Sequence, residues 1–367
     1  MKRVRISDLR PGMKTAEDVF SYNNQMIVPR GSVLDDKMIT RLEFYSVLAV
    51  RILDEKDPDG GGILSETSTD DGISENSSYS QRIKNSKEFK KFEESFLKTT
   101  EEFRGKLRNI ADTDDPINAR EMIDSVTDLI TDDMTGGSVF DMLHNMRQYD
   151  DFTYMHSLNV AMICNVFAKW LGMPENEIDI LTLGGLLHDI GKLKIPDNII
   201  RKPEKLSPAE YNIIKTHSLQ GYNILKEKNV EEDVKQCALM HHERCDGSGY
   251  PLGLSSDKIN TFAKIVAIAD VYDAMTAARV YRGPLCPFKV ISIFESEGLQ
   301  KYDSHFILTF LEHVATTYMN NRVRLNNGME GDVVFMNRNQ YSRPMLQCSD
   351  RFIDLSKEPD LYIETFV

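Results

Sequence analysis

Apolar helical segments that carry histidine dominate residues 136–320, and they constrain the fold more than any other feature. The chain has eight histidines, all of them in this region, and five of them lie within ninety residues of one another. Each stands on or at the end of a segment with an apolar stripe, such as HSLNVAMICNVFAKWLG. This periodicity predicts amphipathic helices around one core. The five histidines are His156, His188, His217, His241 and His242.

Two aspartates share that apolar setting. Asp189 follows Leu-Leu-His, and Asp270 lies inside IVAIADVYDAM. A carboxylate buried among such neighbours is costly unless it is paired or bound to a metal. Each polar residue taken alone is more often a satisfied core or surface residue, but one dinuclear metal site accounts for the whole group. Imidazole and carboxylate ligands without thiolate favour Fe, Mn, Ni, Co or Zn over Ca and Mg.

The stretch HHERCDGSGYP at 241–251 places two adjacent histidines before a run of turn-forming residues. Neighbouring helical side chains point about 100° apart. They can therefore serve two metal centres that lie about 3.5–4 Å apart, with one carboxylate bridging both. The glycines that follow indicate a sharp turn off the helix end. On its own, DGSGYP predicts no more than a turn.

Three motifs together resemble the HD-GYP branch of the HD superfamily of metal phosphohydrolases. They are HDIGK at 188–192, HHERCDGSGYP and the helix that carries Asp270. The resemblance covers about 136–320, and LRPGM near the start is similar to a regulatory module often fused to this domain. It implies hydrolysis of cyclic di-GMP to linear pGpG by a hydroxide that bridges two divalent metal ions, Fe or Mn. Further cleavage to GMP stays open.

The resemblance also implies a role for each matching residue. Asp189 would bridge the metals and, with Lys192, act in catalysis, because Lys192 matches a catalytic lysine. Taken alone, Lys192 is read as a surface lysine and Arg279 and Arg282 as a solvated helix face. The implied metal ligands are His156, His188, Asp189, His217, His241, His242 and Asp270, and the implied substrate contacts are Asp246, Gly249, Tyr250, Pro251, Arg279 and Arg282.

One position departs from the pattern of those family members that hold three metals. In them a glutamate stands four residues before the first ligand histidine, where this chain has Phe152. Asp150 and Asp151 are near, but they are out of phase on a helix. We therefore expect two metal ions, and the departure puts the second cleavage, from pGpG to GMP, in question.

Two other functions stay open beside the phosphodiesterase. One is a different HD-type hydrolase that acts on nucleotides or an alarmone, and the intact GYP turn speaks against it. The other is a non-enzymatic signalling module that binds a cyclic dinucleotide or a partner such as a diguanylate cyclase. The complete ligand set speaks against that reading.

The fold class predicted for the chain is mainly α, with an HD-type helical bundle over 136–320. Short β-rich runs around the helical segment DDKMITRLEFYSV predict a small α/β regulatory module over 1–53. The acidic Gly/Ser/Asp-rich stretch 54–82 predicts a flexible linker. Connecting helices, near 87–111 and 116–134, are expected over 83–135, and they make a homodimer plausible. A small β-rich unit is expected over 321–367.

Composition excludes several classes of protein. The net charge is −13, so neither nucleic acid nor an anionic membrane attracts the whole chain, and an anionic ligand needs a local positive site. No apolar h-region or stretch of 18 apolar residues occurs, so we expect neither a signal peptide nor membrane insertion. The five scattered cysteines argue against a disulfide framework and for the cytoplasm.

Overall fold

The computed structural model describes the chain in two compact units, Met1–Ser77 with Ala278–Pro284, and Ser78–Ala277 with Leu285–Val367. The predicted linker at 54–82 and the two arginines, Arg279 and Arg282, lie outside the described residues. The described residues are 2–5, 9–16, 19–20, 26–29, 31–35, 38–39, 42, 49–53, 83–113, 115–131, 134–146, 152–200, 202, 206–277, 285–349 and 351–367.

The first unit contains two antiparallel strand pairs. Strand β1 (Lys2–Arg5) pairs with β4 (Ala49–Ile52), and β2 (Val19–Phe20) pairs with β3 (Met26–Val28). Its core is formed by aliphatic side chains, namely Leu9, Val19, Val28, Leu34, Leu42, Val50 and Ile52. The predicted helix DDKMITRLEFYSV is described at 38–39 and 42, which are helical.

The second unit is mainly helical, as the sequence predicts. None of the described helices combines the length and apolarity needed to cross a bilayer. Its α-helices are α1 (Lys87–Asp112), α2 (Ala119–Thr127), α3 (Gly136–Asn145), α4 (Phe152–Trp170), α5 (Glu175–Leu187), α6 (Asp197–Ile200), α7 (Pro208–Lys215), α8 (His217–Leu225), α9 (Glu232–Met240), α10 (Thr261–Thr276), α11 (Pro287–Ile293), α12 (Leu299–Lys301) and α13 (Ser304–Thr317). Short 3₁₀ turns cover Ile190–Lys194, Ser256–Lys258 and Leu355–Lys357, and a π turn covers Phe294–Gly298.

The helix packing brings distant parts of the sequence to one place. Helix α4 packs against α5 and α10, and α9 packs against α5, α8 and α10. The 3₁₀ turn Ile190–Lys194, which follows α5, packs against α8. The end of α5, the start of α8 and the end of α9 therefore meet beside the buried faces of α4 and α10.

Local sequence signals explain several helix ends. Ser207, Pro208 and Glu210 predict a capped helix start, and the structure confirms a capping box at α7. The Ser207 hydroxyl accepts from the Glu210 amide at 3.3 Å, and the Ser207 amide donates to the Glu210 carboxylate at 2.7 Å. Helix α2 ends at Thr127, earlier than the predicted 134. The prediction ran too long because Leu129 and Ile130 continue the apolar pattern, although they lie in a turn.

The connecting helix α1 carries three phenylalanines at a mostly helical spacing, which predicts that they are packing residues. The structure confirms this, because Phe92, Phe96 and Phe103 are all buried in the core of the second unit. The Phe92 and Phe96 ring centroids lie 5.5 Å apart. Helix α1 contacts α4 and the 3₁₀ turn Ile190–Lys194.

The predicted C-terminal β unit is a five-stranded antiparallel sheet in the order β8-β7-β6-β5-β9. Its buried residues belong to the same core as the helices, and the Phe366 ring lies 4.9 Å from that of Tyr318. The strands are β5 (Arg322–Leu325), β6 (Glu330–Phe335), β7 (Met345–Cys348), β8 (Arg351–Asp354) and β9 (Ile363–Phe366).

Gly191 allows the 3₁₀ turn to touch helix α8. A Cβ atom at this position would lie 1.9 Å from the His217 carbonyl oxygen and 2.4 Å from the Gly221 amide nitrogen. Both atoms belong to backbone, which cannot move aside as the end of a side chain can. A glycine at 191 is therefore required for the close approach of the two elements.

We expect Gly191→Ala to lower the free energy of unfolding by at least about 3 kcal/mol, because the clash must displace α8 or the turn. Chemical unfolding followed by circular dichroism measures this. Gly105→Ala is the matched control: Gly105 lies inside α1 with open space at its Cβ. That change should be neutral or should stabilise by up to about 1 kcal/mol. Equal stability of the Gly191→Ala variant and the parent would contradict the close-packing argument.

Candidate metal centre

All seven predicted metal ligands come together at the place where the helix ends meet. His156 lies on α4, His188 and Asp189 follow α5, and Asp270 lies on α10. His217 begins α8, and His241 and His242 follow α9. His188, His217 and His241 are at most 1% exposed, and Asp189 and Asp270 are also buried. The sequence alone anticipated this grouping.

One group of ligand atoms gathers around one oxygen of Asp189. The Asp189 Oδ2 atom lies 3.4 Å from His188 Nε2 and 3.6 Å from His156 Nε2. Asp270 Oδ1 adjoins the same nitrogens, at 3.0 Å from His156 Nε2 and 4.0 Å from His188 Nε2. Two imidazoles and two carboxylates thus face a common space.

A second group gathers around the other oxygen of Asp189. The Asp189 Oδ1 atom lies 3.4 Å from His217 Nε2 and 3.7 Å from His241 Nε2. His242 belongs to the same group, and its Nδ1 lies 3.8 Å from Asp270 Oδ2. Asp189 is shared by both groups, which is the arrangement of a carboxylate that bridges two centres.

The hydrogen bonds of three histidines fix which ring nitrogen faces the centre. The Nδ1 atom of His188 lies 2.7 Å from the Gly185 carbonyl, and that of His217 lies 2.7 Å from the Ile214 carbonyl. The Nδ1 atom of His241 lies 2.9 Å from the Cys237 carbonyl. A carbonyl can only accept, so each Nδ1 carries a proton, and in the neutral form of each ring Nε2 presents a lone pair.

The Nε2 atoms of these rings converge, and the Ser218 hydroxyl lies 3.4 Å from that of His217. His217 Nε2 and His241 Nε2 lie 3.1 Å apart. His188 Nε2 and Asp189 Oδ1 are buried and have no hydrogen-bond partner. Buried acceptors without partners are unfavourable, and a divalent cation satisfies several of them at once. The residues present therefore fit a metal-binding site.

The protonation states of His217, His241 and Asp189 also suit metal binding. Burial lowers the pKa of His217 and lowers the pKa of His241 well below its usual value, so both rings are neutral. Burial would raise the pKa of Asp189, but Lys192 and the neighbouring histidines outweigh it and hold this pKa well below its usual range. Neutral imidazole and ionised carboxylate are the forms that bind metal.

His156 has a partner that the sequence analysis missed. Its Nδ1 lies 2.7 Å from Asp273 Oδ2, and Asn159 Nδ2 donates to Asp273 Oδ1 at 3.1 Å. Burial lowers the pKa of His156, but the hydrogen bonds to Asp270 and Asp273 outweigh it and raise this pKa to about 9. A signal was available, because Asp273 follows Asp270 by three residues and therefore shares its helix face. Asp273 orients the ring so that Nε2 faces the centre.

Lys192 lies beside the shared carboxylate. Its Nζ donates to Asp189 Oδ2, and its side chain is 27% exposed. The ammonium is therefore close to the ligand cluster and also accessible to a molecule from solvent.

The turn after the paired histidines is held by Glu243. Its buried carboxylate accepts from the Leu252 amide at 2.7 Å and from the Leu254 amide at 2.9 Å. A Cβ at Gly249 would lie 2.4 Å from the Glu243 Cα, so this position requires glycine. The turn thereby places the Tyr250 ring 4.6 Å from the His242 ring.

The remaining predicted site residues are exposed or lie outside the described residues. Pro251 is exposed, as is Asp246, whose carboxylate accepts from the Ser248 hydroxyl and amide. Phe152 is the first residue of α4, one turn before His156. Asp150, Asp151, Arg279 and Arg282 lie outside the part of the chain that the structure describes.

Comparisons with known proteins agree with the resemblance seen in the motifs. Residues 138–306 match the family model described as HD domain. A cyclic di-GMP phosphodiesterase of Pseudomonas aeruginosa is 34% identical over 205 residues, which cover 56% of this chain and 48% of that protein. A cyclic di-GMP phosphodiesterase of Thermotoga maritima is 36% identical over 177 residues, or 47% of this chain and 48% of that protein.

A third relative carries a different substrate in its name. The 3'3'-cGAMP-specific phosphodiesterase 1 of Vibrio cholerae is 44% identical over 146 residues, which cover 40% of this chain and 34% of that protein. The chain thus spans less than half the length of each of these three relatives. The predicted resemblance to HD-domain phosphodiesterases is confirmed for the helical segment that contains the cluster.

We expect Asp273→Ala to weaken binding of Mn²⁺ by about 10–100-fold, because His156 loses the partner that fixes its ring. Calorimetric titration of the metal-depleted protein measures the affinity. Asp273→Asn should lose less affinity for Mn²⁺, since its amide oxygen can still accept a hydrogen bond from His156 Nδ1. Asp257→Asn, an exposed position, is the control and should bind Mn²⁺ as the parent does. Parent-like affinity in Asp273→Ala would rule out the orienting role.

Proposed function

We propose that this HD-domain chain is a metal-dependent phosphodiesterase that hydrolyses cyclic di-GMP to linear pGpG. The observation that carries the proposal is the buried Asp189 carboxylate, whose two oxygens face two separate groups of imidazole nitrogens. The cyclic di-GMP phosphodiesterases among its relatives support the choice of substrate.

The seven clustered residues would hold two divalent cations, with Fe or Mn as our proposal for their identity. Mixed nitrogen and oxygen ligands without thiolate support that choice. Bound there, two such cations supply Lewis acidity toward a phosphodiester and activate water for attack at neutral pH. Asp189 would bridge them, and His156 and His188 would bind on one side with Asp270. His217, His241 and His242 would bind on the other side.

The protein's own residues would orient the substrate and balance its charge. Lys192, next to Asp189 and partly exposed, brings an ammonium to the oxygen on which negative charge develops. Tyr250 and Pro251 would form a wall beside the scissile phosphate, with Gly249 shaping the turn and Asp246 fixing it. We propose that Arg279 and Arg282 hold substrate phosphate.

Phe152 supports two metals rather than three, because its position one turn before His156 offers no ligand atom. A binuclear site is our proposal, with pGpG as the main product. The high identity to a 3'3'-cGAMP-specific relative supports 3'3'-cGAMP as a second candidate substrate. All five cysteines are free, which supports a cytoplasmic location.

We expect the purified protein, loaded with Fe²⁺ or Mn²⁺, to convert cyclic di-GMP to pGpG, as followed by chromatography. His188→Ala and Asp189→Ala should lower the rate at least about 10³-fold, since each removes a ligand from the shared centre. His305→Ala, an exposed histidine outside the cluster, should keep the parent rate. Tight binding of cyclic di-GMP without turnover in any metal would favour a non-enzymatic signalling module, and parent activity in either cluster variant would refute the metal centre.

We expect elemental analysis of the active protein to find two metal ions per chain. Extended incubation with cyclic di-GMP should then leave pGpG as the accumulated product. Phe152→Glu provides the converse test. It adds a carboxylate one turn before His156, so it should raise the count from two metal ions to three. A count of three in the parent, with GMP as its product, would contradict the role assigned to Phe152.

A further inference from the structure

A lysine and two tyrosines form a small patch beside the ligand cluster. Lys215 ends helix α7, two residues before His217. Its ammonium lies 5.3 Å from the Tyr211 ring centroid and 6.0 Å from the Tyr250 ring centroid. The Tyr250 ring in turn lies 4.6 Å from the His242 ring. We call these three side chains the Lys215 patch, and a chain of ring contacts links the patch to the cluster.

The Lys215 ammonium differs from that of Lys192 in its partners. Lys192 is bound by Asp189, whereas Lys215 has no carboxylate partner among the residues that the structure describes. The chain as a whole carries a net charge of −13. A cation without a neutralising partner beside the cluster therefore gives this spot a positive potential that an anion can use.

Tyr211 and Tyr250 add aromatic faces to that positive charge. Tyr211 is 49% exposed, so its ring is open to a ligand. An exposed cation–π contact stabilises a fold only weakly. Base stacking on an aromatic side chain contributes more, and a lysine adds a charge-assisted hydrogen bond to phosphate. Aromatic rings beside an ammonium are therefore well suited to a nucleotide.

We propose that the Lys215 patch is a subsite for the half of a cyclic dinucleotide that is not being cleaved. This rests on the proposed phosphodiesterase function. A cyclic dinucleotide carries two phosphates and two purines, and the ligand cluster accounts for one phosphate alone. Lys215 binds the second phosphate, and Tyr211 with Tyr250 stacks a purine. The patch thereby favours cyclic dinucleotides over simple phosphodiesters.

The test compares cyclic di-GMP with bis(4-nitrophenyl) phosphate, a diester with neither bases nor a second phosphate. Lys215→Met and Tyr211→Ala should each raise KM for cyclic di-GMP about tenfold, with kcat within about twofold of the parent. Both variants should hydrolyse bis(4-nitrophenyl) phosphate as the parent does and hold the same amount of metal. Tyr211→Phe should restore the parent KM, because the ring face remains.

Lys226→Met is the matched control, since Lys226 is an exposed lysine just past the far end of α8. It should leave both substrates unaffected. An unchanged KM for cyclic di-GMP in Lys215→Met and Tyr211→Ala overturns the subsite. An equal rise in KM for bis(4-nitrophenyl) phosphate also overturns the subsite, because it indicates a general disturbance of the centre.

Calorimetry with a phosphorothioate analogue of cyclic di-GMP separates the subsite from the proposed function. If the parent binds the analogue but cleaves no cyclic di-GMP, the proposed function fails and the subsite is judged by binding alone. About tenfold weaker binding by Lys215→Met then supports the subsite, and equal binding overturns it. A parent that binds no analogue overturns the subsite directly.

Discussion

The buried Asp189 carboxylate is the constraint on which the centre depends. It is ionised in a place where burial alone would neutralise it, because Lys192 and the surrounding histidines stabilise the charge. Its two oxygens face different groups of histidines, so its position determines where both groups must stand. The contact of the 3₁₀ turn with α8, possible because residue 191 is glycine, brings His217 to one of those oxygens.

Two helix ends fix the orientation of histidine rings in this centre. The last carbonyls of an α-helix lack partners within the helix. His188 and His241 each follow the last residue of a helix, and each donates its Nδ1 proton to a carbonyl three or four residues earlier. The Cys237 carbonyl also accepts from the His241 backbone amide at 3.2 Å. The side-chain bond therefore selects the tautomer and aims Nε2 at the cluster.

The sequence predicted that the seven clustered residues lie together because they stand in short motifs on strongly periodic helices. It did not predict the role of Asp273, because the contact with His156 joins residues 117 positions apart and depends on how α4 and α10 cross. The end of α2 was also misplaced, since Leu129 and Ile130 are as apolar in a turn as in a helix. Lys215 and Tyr211 were missed for another reason: nothing in SPAEYNIIKTH distinguishes them from a solvated helix face, and their relation to Tyr250 exists only in the folded chain.

The charge of the centre links metal binding to substrate binding. Three carboxylates, those of Asp189, Asp270 and Asp273, stand beside the Lys192 ammonium and the His156 ring, whose raised pKa makes it cationic, and this still leaves an excess of negative charge. An anionic diester would be repelled by this arrangement, and the negative charge of the whole chain adds to the repulsion. Two divalent cations would reverse the sign and leave the centre positive. Cations at this site would therefore be needed for the substrate to approach as well as for its cleavage, and a lysine without a carboxylate partner beside the cluster would extend the positive region toward the second phosphate.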